Sequence, residues 1–286
     1  MRQLLRLVLL CLPGWSGQAS AQESESYVFA QLADTQFGFF AEDREFIQET
    51  ANYEFVVANL NRLRPAFVIV CGDLINKPGD PAQRAEYLRI TALLDPSIPF
   101  YAVSGNHDVG NEPTPESLAD YRAHFGPDWY SFRERDIYGI VLNSSIISAP
   151  AAVESEAAAQ EAWLREELAR AKASGARHIL VFQHHSWFLD SPDEPDAYFN
   201  IPLATRSRYL ALFREAGVSH VFAGHYHRNA FGRDGELEMV TTGPVGRPLG
   251  DDPSGFRLVR VGAEGIAHEY VPLGRIPTQL LAQPSQ

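Results

Sequence analysis

Cysteine is almost absent from this 286-residue chain, which has only Cys11 and Cys71. If the first is lost with a cleaved leader, no internal disulfide remains possible. Cys71 follows the apolar run Phe67-Val68-Ile69-Val70 and reads as a small buried hydrophobe, not a nucleophile. Long apolar runs are lacking as well. Leu4 to Leu12 is broken by Arg6 and falls far short of the ~20 residues that cross a bilayer, so no stable membrane insertion is expected. Basic clusters interleaved with aromatics are missing. With 24 basic against 36 acidic side chains and a net charge of −12, the surface repels nucleic-acid backbones and anionic membranes. A small anionic substrate stays open, because bound dications reverse the local field. There is no repeat, low-complexity tract or Pro/Gly/Ser-rich linker. One α/β domain over residues 22–276 is expected, with 277–286 as a frayed tail.

The first 21 residues read as a leader. Arg2 and Arg6 give positive charge, Leu4 to Leu12 is the apolar stretch, and Ala19-Ser20-Ala21 is a small-x-small cleavage signal before Gln22. Leu10 stands where a lipid-attachment motif around Cys11 needs a small residue. The mature protein is therefore expected to be periplasmic or secreted. Losing Arg2 and Arg6 leaves 22 basic against 36 acidic groups, or −14.

Periodicity alternates strands and helices: strands Val28 to Ala33, Phe67 to Cys71 and Phe100 to Val103, and helices Glu45 to Leu63 and Pro81 to Leu94. The second half is richer in strand. Trp129 to Phe132 and Ile137 to Asn143 read as an antiparallel pair. His178 to Gln183, Ser219 to Ala223, Glu236 to Thr242, Gly255 to Val261 and Ile266 to Val271 read as further strands. Glu154 to Ala173 and Thr205 to Ala216 read as helices.

Five polar clusters each follow an apolar strand, where open α/β sheets place their sites. They are Asp34-x-Gln36, Gly72-Asp73, Gly105-Asn106-His107-Asp108, His184 and Gly224-His225-x-His227. Singly, most are weak, since an Asp after a strand is usually a turn residue. Together they supply two Asp, one Asn, one Gln and three His, a mixture of oxygen and nitrogen donors that suits Mn, Fe, Zn or Ni. Seven donors exceed one open tetrahedral ion and suit two ions sharing a bridge, with Asp73 the best bridging carboxylate. An extended backbone would point His225 and His227 to the same side.

This order of motifs resembles the calcineurin-like metallophosphoesterase superfamily from about Val28 to Val271. Ala33 to Gly38, Cys71 to Ile75, Val103 to Gly110, Val181 to His184 and Gly224 to Ala230 are similar to its calcineurin-like phosphoesterase-domain-containing protein phosphatases, which act on phosphoserine and phosphothreonine. The resemblance implies a four-layer sandwich of two mixed β-sheets flanked by helices. It implies two divalent ions, Mn, Fe or Zn. The first is held by Asp34, Gln36, Asp73 and His227, and the second by Asp73, Asn106, His184 and His225. It further implies that Asn106 and His107 contact the substrate phosphate. His107 would protonate the leaving oxygen with Asp108 holding its imidazole, while a metal-bridging hydroxide attacks. Gln36 stands where most of the superfamily has His, and its harder amide oxygen tilts the first site toward Mn or Mg.

The leading expectation is thus an exported phosphomonoesterase acting on a phosphate ester such as a phosphoprotein. A phosphodiesterase acting on nucleotides or glycerophosphodiesters has the same motifs. A metal-binding module that has lost catalysis is the reading from another class, although every donor position is intact. Asn76 stands where a purple acid phosphatase has Tyr. Among weaker expectations, Arg228 reads as a phosphate contact or a surface ion pair. His185 is expected to point away from His184. His124, His178, His220 and His268 read as structural. The acidic Asp190 to Asp196, followed by Tyr198-Phe199-Asn200, reads as a solvated loop or a rim that selects the leaving group.

Overall fold

A computed structural model describes residues 26–280. The expected leader, with Cys11 and the Ala19-Ser20-Ala21 signal, lies outside the described residues, as do 281–286. Arg62 donates to the Pro277 and Thr278 carbonyls, so the first residues of the expected tail lie against the body.

The elements run β1 (Tyr27–Leu32), α1 (Ile47–Leu63), β2 (Val68–Cys71), α2 (Pro81–Thr91), β3 (Phe100–Val103), α3 (Asn106–Val109), α4 (Pro115–Phe125), β4 (Tyr130–Glu134) and β5 (Ile137–Val141). Then follow α5 (Ser144–Ser148), α6 (Glu154–Ala173), β6 (His178–Phe182), α7 (Leu203–Ala216), β7 (Val218–Ala223), β8 (Ala230–Asp234), β9 (Leu237–Thr241), β10 (Gly255–Gly262) and β11 (Gly265–Pro272). One sheet has the order β11-β10-β1-β2-β3 and the other β4-β5-β6-β7-β9-β8. Both are mixed. The strands β1, β2 and β3 run parallel in the first, and β5, β6, β7 and β9 in the second.

Alternation along the central strands builds the layers, because successive side chains leave a strand on opposite faces. From β2, Val68 and Val70 pack outward with Val56, Leu60 of α1 and Ile90 of α2. Ile69 and Cys71 point inward, where Phe67, Phe29, Phe182 and Phe222 fill the space between the sheets. Phe29 stacks on Phe67 at 4.4 Å and meets Phe222 edge-on at 5.8 Å. On the far side, Ile179 and Val181 of β6 pack against Leu164 and Leu168 of α6 and Leu210 and Phe213 of α7. This is the expected helix–sheet–sheet–helix sandwich, and Cys71 is a fully buried free thiol within it.

Four elements were not anticipated: α3, α4, α5 and β8. A local start signal exists for α4, where Thr114 caps and Pro115 occupies the first turn. The short edge strand β8 pairs only with β9 and carries too few apolar residues to stand out. No helix among the described residues is long and apolar enough to cross a membrane.

Candidate metal centre

The parallel strands of both sheets end at one edge, and their C-terminal residues interlock there. The Asp34 amide bonds the Gly72 carbonyl at 3.0 Å and the Gln36 amide bonds that of Asp73 at 2.8 Å. Across the sheets, Val245 and Gly246 donate to the carbonyls of Ala33 and Asp34. The turns are tight. Asp34, Gln36, Asp73, His225 and His227 all have positive φ, between 39° and 68°, a region that costs a non-glycine residue energy and clusters at functional sites. Extended geometry therefore does not hold at His225 and His227, contrary to expectation. The two rings serve different groups of donors. The glycines of the motifs have a steric reason: a Cβ on Gly72 would clash with the His184 ring, and one on Gly105 with Asp73.

Two sets of buried donors converge: Asp73 with His184 and His225, and Asp34 with Asp73 and His227, each with its ligand atoms within 4.8 Å of one another. Asp73 belongs to both. Hydrogen bonds set which nitrogen each imidazole offers. His184 Nδ1 donates to the Cys71 carbonyl at 2.9 Å, which leaves Nε2, at 3.2 Å from Asp73 Oδ2. Nδ1 of His227 donates to the Arg247 carbonyl at 2.6 Å, which leaves Nε2, at 3.4 Å from Asp34 Oδ1. His225 is reversed, since its Nε2 donates to the Tyr198 carbonyl at 3.1 Å and leaves Nδ1. Asn106 gives Nδ2 to Asn111 at 2.9 Å, so its Oδ1 faces His184 Nε2.

The donor set fits divalent ions. Gln36 sends its Nε2 to Asn76 Oδ1 at 3.2 Å, while its Oε1 is buried with no hydrogen-bond partner. A buried lone acceptor is costly unless a cation or proton meets it. Burial alone would raise the Asp73 carboxyl, but His184 and His107 beside it hold it well below the usual carboxylate range. Burial, assisted by neighbouring His184, pushes His225 down to about 4, so it stays in the neutral form that offers a lone pair.

His107 stands apart. It is half-buried while its neighbours Asn106 and Asp108 are buried, and its amide donates to Asp73 Oδ1 at 2.8 Å. Its Nδ1 meets the Asn76 carbonyl at 2.7 Å, which leaves Nε2 for a substrate. The expectation that Asp108 holds this imidazole is corrected. Asp108 instead accepts the amides of Leu74 at 2.9 Å, Ile75 at 3.2 Å and Gly105 at 2.7 Å. Three residues into α3, its side chain folds back over the helix start and ties the Gly105 turn to the loop after β2. Burial, with Asp73 nearby, pushes its carboxyl up to about 7.

Arg228 is turned away from both expected roles. Its guanidinium donates to the Leu249 carbonyl, at 2.7 Å from Nη2, and lies over the Tyr226 ring. His185 does not point away. Its ring is buried 4.3 Å from that of His225, and its Nδ1 meets Ser144 Oγ at 2.9 Å. Other contributors are not read as part of the centre from the sequence, although Tyr198 is placed in a rim beside it. Asn76 supports both Gln36 and His107. The Phe39 ring lies 5.2 Å from His227 and 6.3 Å from His107, with the Arg247 guanidinium over it at 5.4 Å. Tyr198 reaches the opposite side through His225.

The family model described as calcineurin-like phosphoesterase matches residues 27–229. Serine/threonine-protein phosphatase CPPED1 of Danio rerio is 37% identical over 277 residues, which cover 92% of this chain and 87% of that protein. The Homo sapiens CPPED1 phosphatase is 37% identical over 281 residues, covering 93% and 90%. A probable cyclic nucleotide phosphodiesterase of Psychrobacter arcticus is 32% identical over 160 residues, covering 51% and 53%. A dimetal phosphatase structure from Danio rerio superposes with a TM-score of 0.63 at 16% identity, over 85% of this chain and 95% of that one. The purple acid phosphatase of yellow lupin gives 0.66 at 14% identity, over 89% and 53%. Both structural likenesses speak to the fold.

Proposed function

Since the chain belongs to the calcineurin-like phosphoesterase family and is a metal-dependent phosphatase, we propose that it hydrolyses phosphate monoesters, with phosphoserine and phosphothreonine of proteins as the substrate class. The centre is read as two ions sharing Asp73. Asp34, Gln36 and His227 complete one side, and Asn106, His184 and His225 the other. The observation that carries this reading is the buried, partnerless Gln36 Oε1 converging with two acidic–histidine groups that share a carboxylate.

Bound divalent ions would supply a nucleophile by lowering the pKa of water and would offset charge on the phosphate. The chain's own residues do the rest. Asn76 and Asn111 turn the amides of Gln36 and Asn106 so that their oxygens face inward. His107, held at Nδ1 by the Asn76 carbonyl, presents Nε2 to the leaving oxygen and in its protonated form donates there. The neutral amide oxygen of Gln36 favours Mn or Mg at the first site. A diesterase reading has weaker support, because that relative matches only about half the chain. The leader and its small-x-small signal support export, with a mature N-terminus at or near Gln22. N-terminal sequencing that begins at Met1 would overturn that part.

The direct test reconstitutes purified protein with Mn, Fe or Zn and compares a phosphoserine peptide, p-nitrophenyl phosphate and its bis-ester. Monoester turnover should exceed diester turnover and vanish with EDTA. Faster diester cleavage would move the protein to the phosphodiesterases, and full activity without metal would end the dinuclear reading.

A further inference from the structure

The segment from Leu189 to Pro202 has no helix or strand of its own, yet its shape is fixed from within. The Glu194 carboxylate accepts the amides of Leu189, Asp190 and Ser191 at 2.9, 3.0 and 3.3 Å and the Asn200 side chain at 2.6 Å. Arg206 on α7 is 0% exposed and donates to the carbonyls of Ile201, Pro192 and Glu194. The acidic residue that looked like part of a solvated rim is thus the loop's internal tie.

The product of that rigidity is Tyr198. Its carbonyl receives His225 Nε2 at 3.1 Å, its ring lies 4.9 Å from the His225 ring, and its hydroxyl sits 3.5 Å from Asn106 Nδ2 and from Asn111 Oδ1. It thereby touches two candidate ligands of one ion. Even so, 60% of it is exposed. Phe199 fills the space behind, 5.0 Å from Tyr226 and 5.6 Å from His225. The other conspicuous groups on the loop are the exposed carboxylates of Asp190, Asp193 and Asp196. They disfavour an anionic leaving group, and the exposed Tyr198 ring supplies the apolar contact.

We propose that Tyr198 recognises the leaving group: its ring packs against an apolar, preferentially aromatic, part of the alcohol and discriminates such esters from small alkyl phosphates. This rests on the phosphomonoester reading above, and in a phosphopeptide the apolar part is a side chain beside the phosphorylated serine or threonine. A ring held in place before the substrate arrives loses little entropy on contact. An aromatic pair plus the area it buries supports a preference of about 10-fold.

Calorimetry with phenylphosphonate and methylphosphonate on the Mn-reconstituted enzyme tests this without turnover. The wild type should bind the phenyl compound about 10-fold more tightly. Tyr198→Ala should bring the ratio within about twofold, and Tyr198→Phe should keep it. All three should hold the same metal content, since the hydrogen bond that orients His225 comes from the Tyr198 backbone. An equal affinity for both phosphonates in the wild type, or an unchanged ratio in Tyr198→Ala, overturns the proposal alone. A metal lost from Tyr198→Ala also overturns it, because the ring would then be holding the centre. Wild-type enzyme that binds neither phosphonate sinks the monoester reading and this one with it.

Discussion

His107 and Asp108 are neighbours in sequence with separate tasks in space. Asp108 satisfies three buried amides, and each donor stranded by its removal costs roughly 1–3 kcal/mol. Asp108→Ala should therefore lower the thermal midpoint and the metal content, because the amides belong to the turns that carry Asp73 and Asn106. His107→Ala should leave both nearly intact and slow turnover by roughly 10²–10⁴. That defect should be larger on a phosphoserine peptide than on p-nitrophenyl phosphate, whose leaving group needs little protonation. A stable, metal-replete Asp108→Ala enzyme with the same leaving-group dependence would restore the His–Asp pairing. The donors themselves were legible, because each follows an apolar strand and only a few residue types bind hard ions. The nitrogen each histidine offers was not, since it depends on carbonyls at Cys71, Arg247 and Tyr198 that come from other parts of the chain. Alternation failed at His225 and His227 for a related reason: it holds for extended backbone, and both residues are left-handed.

Strands and long helices announce themselves by periodicity, and the β1-α1-β2-α2-β3 order was read from it with bounds within three residues. The loop from Leu189 to Pro202 has no period, and its order comes from the Glu194 carboxylate within it and the Arg206 guanidinium just beyond it. Arg206→Met should strand three carbonyls and release the loop. We expect a loss of roughly 2–4 kcal/mol in urea unfolding, from the buried acceptors left unpaired. The second ion should also bind more weakly, because the Tyr198 carbonyl no longer fixes His225. Unchanged stability would show that the loop is held by Glu194 alone. The strand β7 carries a different liability. Burial, together with His268 and despite Glu238, pushes His220 down to about 4, below the ordinary value of about 6.5. Above that value both folded and unfolded chains carry it neutral. As pH falls from about 6.5 toward 4 the unfolded chain takes the proton first, so stability is lost through that window and levels off below it. His220→Gln should flatten this part of a pH–stability profile, and an unchanged slope would show that other groups set it.

At the scale of the whole molecule, the centre joins two sheets that otherwise meet through a largely apolar interface crossed by a few hydrogen bonds, among them His268 to Glu238 and Tyr101 to Glu134. Asp34, Gln36, Asp73 and Asn106 follow strands of the five-stranded sheet, and His184, His225 and His227 follow strands of the six-stranded one. Each proposed ion therefore takes donors from both sheets and acts as a cross-link. A ligand that binds only the folded state stabilises by mass action, about 2.7 kcal/mol per site at a free concentration 100 times its Kd. Two such sites contribute about 5 kcal/mol, which for a domain of this size raises the midpoint by roughly 10–20 °C. Chelation should remove that increment, and readdition of Mn should restore it with two ions per chain. The increment should also shrink as pH falls, because protons compete for the histidines. Asp73→Asn gives the sharper outcome. Loss of a carboxylate private to one site would remove about half the increment, whereas loss of a shared bridge should remove most of it and most of the bound metal. A calorimetric midpoint that EDTA leaves in place, with metal removal verified by elemental analysis, would show that the sheets are joined without help from the ions.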